Sequence, residues 1–261
     1  MKERKLSLED RKTLQLEMLK EVDAFCRDHD IKYALSCGTL IGAVRHKGFI
    51  PWDDDVDITM LFSDMLRFRD LFRSDSIEYS DVETSSSHRF HFSSLYCRNT
   101  YSKIGFQKSK GVCIDLYPII ECSIDNDVIE GLLPKGLRLF ERRMRFLKWE
   151  SRIRRYTTFK TLPGFHKAML DYYYFMINDF QMIGGGRYYQ IGGALVGNNN
   201  VYRNMWTFNP LDELIEVPFE NYRFCIPARF DEFLTVRYGN YLQLPPKDQR
   251  VPYHGGDYYW K

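Results

Sequence analysis

Residues 38–58 read GTLIGAVRHKGFIPWDDDVDI. Four aspartates, Asp53, Asp54, Asp55 and Asp57, fall within five positions, directly after the apolar run Phe49-Ile50-Pro51-Trp52. Like charges this close repel one another and resist burial, so packing alone does not call for them. The alternation of acid and apolar residues predicts a strand over Asp53–Met60. On a strand, Asp53, Asp55 and Asp57 project from one side, neighbours about 6.6–6.8 Å apart, while Val56 and Ile58 turn to the core. Asp54 falls on the second side, at the strand mouth. Hard oxygen donors without His or Cys suit Mg²⁺, with Mn²⁺ the alternative, better than zinc. Two such ions roughly 3.5–4 Å apart clamp an in-line phosphoryl displacement. A solvated acidic turn would carry the same letters, and what precedes the acids tips the reading towards a metal.

That preceding element is a strand over Ile31–Ser36, a turn at Cys37-Gly38-Thr39 and a helix from Leu40 to Arg45. Glycine lets a backbone approach a phosphate closely, a helix N-terminus favours negative charge, and Thr39 has a hydroxyl to donate. Arg45 suits bidentate phosphate binding; with His46 and Lys47 it also suits the C-terminal end of a helix dipole. A third carboxylate is expected from a neighbouring strand. Asp115, the single acid in the apolar run VCIDLYPII, is the candidate, because an unpaired buried aspartate is costly and an ion or a proton from a nucleophile would explain it.

Working outward, Ser7 and Asp10 have the spacing of a capping box, and Leu14, Met18, Val22 and Phe25 make an apolar stripe on a helix ending near His29. Further helices are expected over 62–72, 134–157, 166–183 and 230–238, and strands over 77–82, 90–97 and 112–117. Residues 184–200, rich in Gly and Asn, read as a mobile loop or lid without a P-loop pattern. Residues 214–226 read as a hairpin about Glu220-Asn221. The fold class expected is α/β (α+β): residues 1–125 form a core with a small mixed sheet, and 126–261 form a mostly helical region whose C-terminal segment completes the cleft.

The bulk numbers are those of a globular chain: 261 residues, 44% hydrophobic, 28% charged and a net charge of +2. This balance predicts no nucleic-acid partner. Between Arg138 and Arg155, eight basic residues face only Glu141 and Glu150, a helix face that is either merely solvated or attracts an anionic acceptor at the inner membrane surface. Six cysteines without a C-x-x-C pair read as buried free thiols in a reducing compartment. The N-terminus lacks a signal-peptide core, and a cytoplasmic location is expected.

The core motif at Gly38–Ile58, the strand IDLYP at Ile114–Pro118 and the block from Val217 to His254 together resemble the LicD family, related to fukutin and fukutin-related protein within the nucleotidyltransferase-fold superfamily. The resemblance implies Mg²⁺ (or Mn²⁺) held by Asp53, Asp55, Asp57 and Asp115, with Asp55, Asp57 and Asp115 catalytic. Gly38 and Thr39 then stand where the superfamily has Gly-Ser and bind phosphate. Arg45, Arg250 and His254 are expected to reach donor or acceptor phosphate. The implied partners are a CDP-linked donor, most simply CDP-choline, and a hydroxyl of a cell-surface glycan (lipopolysaccharide, teichoic acid or capsule), with release of CMP. A nucleotidylyltransferase releasing pyrophosphate, or a non-catalytic scaffold, would use the same letters. The sequence leaves the transferred alcohol and the oligomeric state open.

Overall fold

The acids find their places because of the order of strands behind them. A computed structural model describes residues 3–104, 107–153, 164–182, 184–191, 201–252 and 256–261. The mixed α/β architecture expected from the sequence is present. Helix α1 (Leu8–Asp28) starts at Ser7, where the capping box forms: the Asp10 N–H donates to Ser7 Oγ at 3.0 Å and the Ser7 N–H to Asp10 Oδ2 at 2.9 Å. Strand β1 (Tyr33–Leu35), helix α2 (Cys37–His46), strand β2 (Asp57–Leu61) and helix α3 (Phe62–Leu71) follow. Strands β3 (Ile77–Ser80), β4 (Ser93–Cys97), β5 (Thr100–Ile104), β6 (Gln107–Lys110) and β7 (Cys113–Ser123) complete the first half. The second half holds α4 (Asn126–Ile153), α5 (Phe165–Tyr174) continued by a π-helix over Phe175–Phe180, and β8 (Gly186–Gln190). Then come β9 (Met205–Trp206), the hairpin β10 (Leu214–Phe219) and β11 (Tyr222–Pro227), α6 (Phe230–Tyr238) and β12 (Asp257–Trp260).

The main sheet runs β1-β2-β7-β4-β3, with β8 added beside β7 and β9 beside β8. The β2–β7 pair is parallel and the other pairs are antiparallel. Both halves of the chain therefore feed one sheet, and β12 likewise pairs with β5 in a second, three-stranded sheet with β6. Period two divides the main sheet cleanly. Ile58, Met60, Leu95, Ile114 and Leu116 are fully buried on one face, in one cluster with Met18, Leu19 and Val22 of α1 and Met65 and Phe68 of α3. The other face carries Asp57, Thr59, Asp115, Tyr117 and Ser94.

Several sequence expectations are corrected. Residues 53–56 are not strand; β2 begins at Asp57. The cause lies far away in the chain: Lys12 Nζ donates to the carbonyls of Ile50 (3.2 Å) and Pro51 (3.0 Å), and Gln15 Nε2 to that of Asp54 (3.3 Å). A polar row on α1 thus ties down a segment that would otherwise pair. Strand β7 runs on through Pro118 to Ser123. Proline is tolerated there because β4 has ended opposite Leu116 and β8 begins opposite Ile119, so no ladder bond needs its missing N–H. Helix α4 starts at Asn126, with Pro134 inside it. Within the expected lid, residues 186–190 form strand β8; residues 192–200 lie outside the described residues. The hairpin is as expected, with Glu220 at φ 54 in the tight turn. All six cysteines are free, four buried and two partly so.

Candidate active site

The parallel register of β2 and β7 sets Asp57 directly beside Asp115. Both are nearly inaccessible, at 5% and 7% exposure. The backbone around them is closed: the Asp115 N–H donates to Val56 O at 2.8 Å and the Ser36 N–H to Asp57 O at 2.9 Å. Ser94, opposite Asp115 on β4, donates its hydroxyl to Asp115 Oδ1 at 2.8 Å and so orients that carboxylate.

Asp53, Asp54 and Asp55 each bring a carboxylate oxygen within 4.8 Å of the others. They do not play equal parts. Asp54 is almost fully buried and paired with Arg11 Nη1 of α1 at 3.3 Å. Asp53 and Asp55 stay partly exposed and act on Asp57. Burial, then Asp55, pushes the Asp53 carboxyl up to about 7. Burial, then Asp55 and Asp115, holds Asp57 well above the ordinary carboxylate range. Asp57 Oδ1 is buried with no hydrogen-bond partner among the described residues. A buried, unpartnered anionic oxygen among other acids is expensive. A hard divalent cation would satisfy it, and the all-oxygen donor set fits Mg²⁺ or Mn²⁺.

Helix α2 begins three residues before the expected Leu40, at Cys37, which sits in the left-handed region at φ 49. Strain of this kind concentrates at functional sites. A Cβ on Gly38 would come within 2.7 Å of Asp53 Oδ2, so a side chain there would push the Asp53 carboxylate aside. Ser36, in the N-cap position, makes no side-chain cap; its Oγ accepts from Gln190 Nε2 at 2.8 Å instead. The first-turn amides of α2 are left for another acceptor. Thr39, nearly buried, has its Oγ1 accepting the Asp57 N–H at 2.9 Å. Its hydroxyl proton remains to be donated, so Thr39 both fixes the acid strand and faces the turn.

The cations expected at the site divide. Arg45 Nη1 donates to the carbonyls of Tyr241 (2.8 Å) and Gln243 (3.4 Å), and Arg45 Nε to His46 Nε2 (3.0 Å). It ties the end of α2 to the C-terminal segment. Arg250 donates to Pro245 O at 2.9 Å and lies over the Trp52 ring, 5.4 Å from its centroid, one residue from the acids. His254 lies outside the described residues. The hairpin helps to aim the loop: the Glu220 N–H donates to Lys47 O, and Glu220 Oε1 accepts from the Phe49 N–H at 2.9 Å.

Sequence reasoning missed Arg237. Its side chain, on α6, stands near enough to Asp57 to act on it. Burial alone would lower the pKa of its guanidinium, but Cys37, Tyr238, Asp57 and Tyr117 raise it on balance. Nothing local in FDEFLTVRY marks this residue; only the packing of α6 against β9 and β11 brings it in. Tyr117 was also missed. It follows Asp115 on the same face of β7, its ring 4.5 Å from that of Phe92. Burial, then Asp57 and Asp115, raises its phenol well above the ordinary value.

Residues 30–148 match the family described as LicD/FKTN/FKRP, nucleotidyltransferase domain. The chain is 28% identical over 262 residues to the lipopolysaccharide cholinephosphotransferase LicD of Haemophilus influenzae, spanning 96% of this chain and 97% of that protein. Shorter stretches match uncharacterised proteins of Rickettsia typhi, 38% identical over 24% of this chain and 21% of the relative, and Rickettsia prowazekii, 36% identical over 26% of each.

Proposed function

Because this chain belongs to the LicD family, we propose that it is a transferase that moves phosphocholine from CDP-choline onto a hydroxyl of a cell-surface glycan and releases CMP. The observation that carries the chemistry is the buried, unpartnered Asp57 Oδ1 beside Asp55 and Asp115. Asp53, Asp55, Asp57 and Asp115 would hold Mg²⁺. When bound, such an ion neutralises diphosphate charge and makes a nearby hydroxyl more acidic.

The chain's own groups do the rest. The free amides at the start of α2, with the Thr39 hydroxyl, receive donor phosphate oxygens. Asp115, aimed by Ser94, accepts the proton of the attacking sugar hydroxyl. The sugar oxygen bonds to the phosphorus distal to the nucleoside as the bond from that phosphorus to the bridging oxygen breaks, so the products are a phosphodiester and CMP. Tyr117 and Phe92, beside the acids, offer the aromatic face that a quaternary ammonium prefers.

The test is CMP release from CDP-choline, CDP-ribitol, CDP-glycerol and CDP-ethanolamine, each with Mg²⁺ or with EDTA. Mg²⁺-dependent CMP release, fastest with CDP-choline, is the expected result. Pyrophosphate release from CTP and a phospho-alcohol would replace this reading with nucleotidylyl transfer. No turnover with any donor and a glycan acceptor would leave a scaffold.

The acceptor would be presented on a lipid carrier, and α4 is built to meet such a surface. No described helix is long and apolar enough to cross a membrane. The basic run is not uniformly solvated: Arg143 is buried and Arg142 pairs with Asp171 at 2.9 Å. Arg138, Arg145 and Arg152, seven residues apart, share an exposed face with Lys148 and with Trp149, which is 64% exposed. Cations around an exposed Trp suit an anionic interface. Co-sedimentation with phosphatidylglycerol-containing vesicles is expected, with none on pure phosphatidylcholine. At about 1 kcal/mol per basic residue, Arg145→Glu with Arg152→Glu should weaken binding roughly 30-fold or more. Equal sedimentation of this variant would remove the surface.

A further inference from the structure

Arg45 is the cation that the sequence nominates for phosphate, and the structure has already used it. Its Nη1 and Nε are committed to Tyr241 O, Gln243 O and His46. Arg237 is in the opposite state. Its Nη1 donates to Gln190 Oε1 at 2.8 Å. Gln190 is fully buried on β8 and donates its Nε2 to Ser36 Oγ at 2.8 Å. Both ends of the Gln190 amide are thus used, and the amide is fixed in one orientation. The guanidinium it holds is therefore aimed, not merely nearby. Among the described residues Arg237 forms no ion pair, although Asp57 lies near enough to feel it. Arg237 is half-buried, its Cζ 5.4 Å from the centroid of the Tyr238 ring, and among the described residues only its Nη1 makes a hydrogen bond.

The chain Arg237–Gln190–Ser36 ends at the strained start of α2. Ser36 immediately precedes Cys37 and Gly38, and its hydroxyl is drawn away from capping by the same Gln190. The fork of Arg237 and the uncapped amides of α2 therefore flank one place, next to Asp57. Two donor sets of this kind, with the guanidinium N–H groups not taken by Gln190 on one side and backbone amides on the other, match a phosphate oxygen array.

We propose that Arg237, aimed by Gln190, is the cation that binds the diphosphate of the nucleotide donor, opposite the first turn of α2, and that Arg45 is a structural tie. This rests on the CDP-donor reading above and names the phosphate subsite within it. Arg237 and Gln190 have different parts: Arg237 touches the ligand, and Gln190 is a positioning residue that acts through it.

The experiment is titration calorimetry of the full chain with CDP and with cytidine, with Mg²⁺ and with EDTA. A charge-assisted hydrogen-bond pair is worth about 1.5–3 kcal/mol, so Arg237→Gln should weaken CDP binding roughly 10–100-fold and leave cytidine unchanged, with and without the metal. Arg237→Lys, which keeps the charge and loses the fork, should fall between. Gln190→Leu should weaken CDP by a smaller factor, and only while Arg237 is present. Arg45→Gln should leave CDP affinity within about twofold. Unchanged CDP affinity in folded Arg237→Gln and Arg237→Lys, or an equal loss in Arg45→Gln, overturns the assignment while the donor reading stands. A wild-type chain that binds no CDP removes the donor reading and the assignment with it. Circular dichroism of each variant separates lost binding from lost fold.

Discussion

Asp57→Asn is expected to abolish turnover, by about 10³-fold or more, and to make the metal-free protein more stable. The first effect follows from the loss of charge stabilisation worth several kcal/mol. The second follows from what the acids cost one another. Asp57 is held well above the ordinary carboxylate range by burial, then by Asp55 and Asp115. Asp53 is pushed up to about 7 by burial, then by Asp55. A carboxyl whose folded pKa lies above its unfolded value is stabilising in its protonated form. The contribution of these two carboxyls to the metal-free fold is therefore fully present below about pH 4 and is lost as pH rises towards 7 and beyond. For Asp53 alone the change is on the order of 3–4 kcal/mol at most. Thermal melts in EDTA from pH 5 to pH 8 should show this decline in the wild type and a flatter profile in Asp57→Asn. Mg²⁺ at pH 8 should raise the wild-type midpoint and leave that of Asp57→Asn nearly unchanged. A variant that melts lower than wild type in EDTA across the range would show that the acids are paired by the fold and do not wait for an ion.

Arg11→Met is the second large effect, and it falls on stability. The Arg11–Asp54 pair has side-chain exposures of 10% and 0%. Removing one partner of a buried pair costs about 3–5 kcal/mol. The double variant Arg11→Met with Asp54→Asn should recover much of that loss, as urea unfolding would measure. The pair also separates the acids by role. Asp54→Asn in the folded protein should keep turnover within about tenfold of wild type, unlike Asp57→Asn. An Asp54→Asn variant that folds and is as inactive as Asp57→Asn would make Asp53, Asp54 and Asp55 the metal trio and displace Asp57.

The reasons that parts of this site were legible are local. Asp115 stood out as one acid in an apolar run, expected on a strand neighbouring the other acids; the parallel register of β2 and β7 sets it beside Asp57. The capping box at Ser7 and the hairpin at Glu220 were likewise written in adjacent residues. What was not legible is tertiary. Residues 53–56 have the alternation of a strand, yet Lys12 and Gln15, nearly forty positions earlier, hold their backbone in a loop. Residues 184–200 read as a mobile loop or lid, yet Gly186–Gln190 pairs with the far half of β7. Arg45 lies within the decisive motif and is spent on the C-terminal segment. Arg237 lies in an undistinguished helix and is held near Asp57 by a glutamine from the segment expected to be a lid.

The most direct test of the whole account is the anomalous difference density of a crystal soaked in Mn²⁺ at pH 7.5. The account predicts a peak bound by Asp57 Oδ1 together with carboxylate oxygens of Asp55 and Asp115. A structure in which Mn²⁺ is absent from these three carboxylates, while bound at other sites on the molecule, would contradict it.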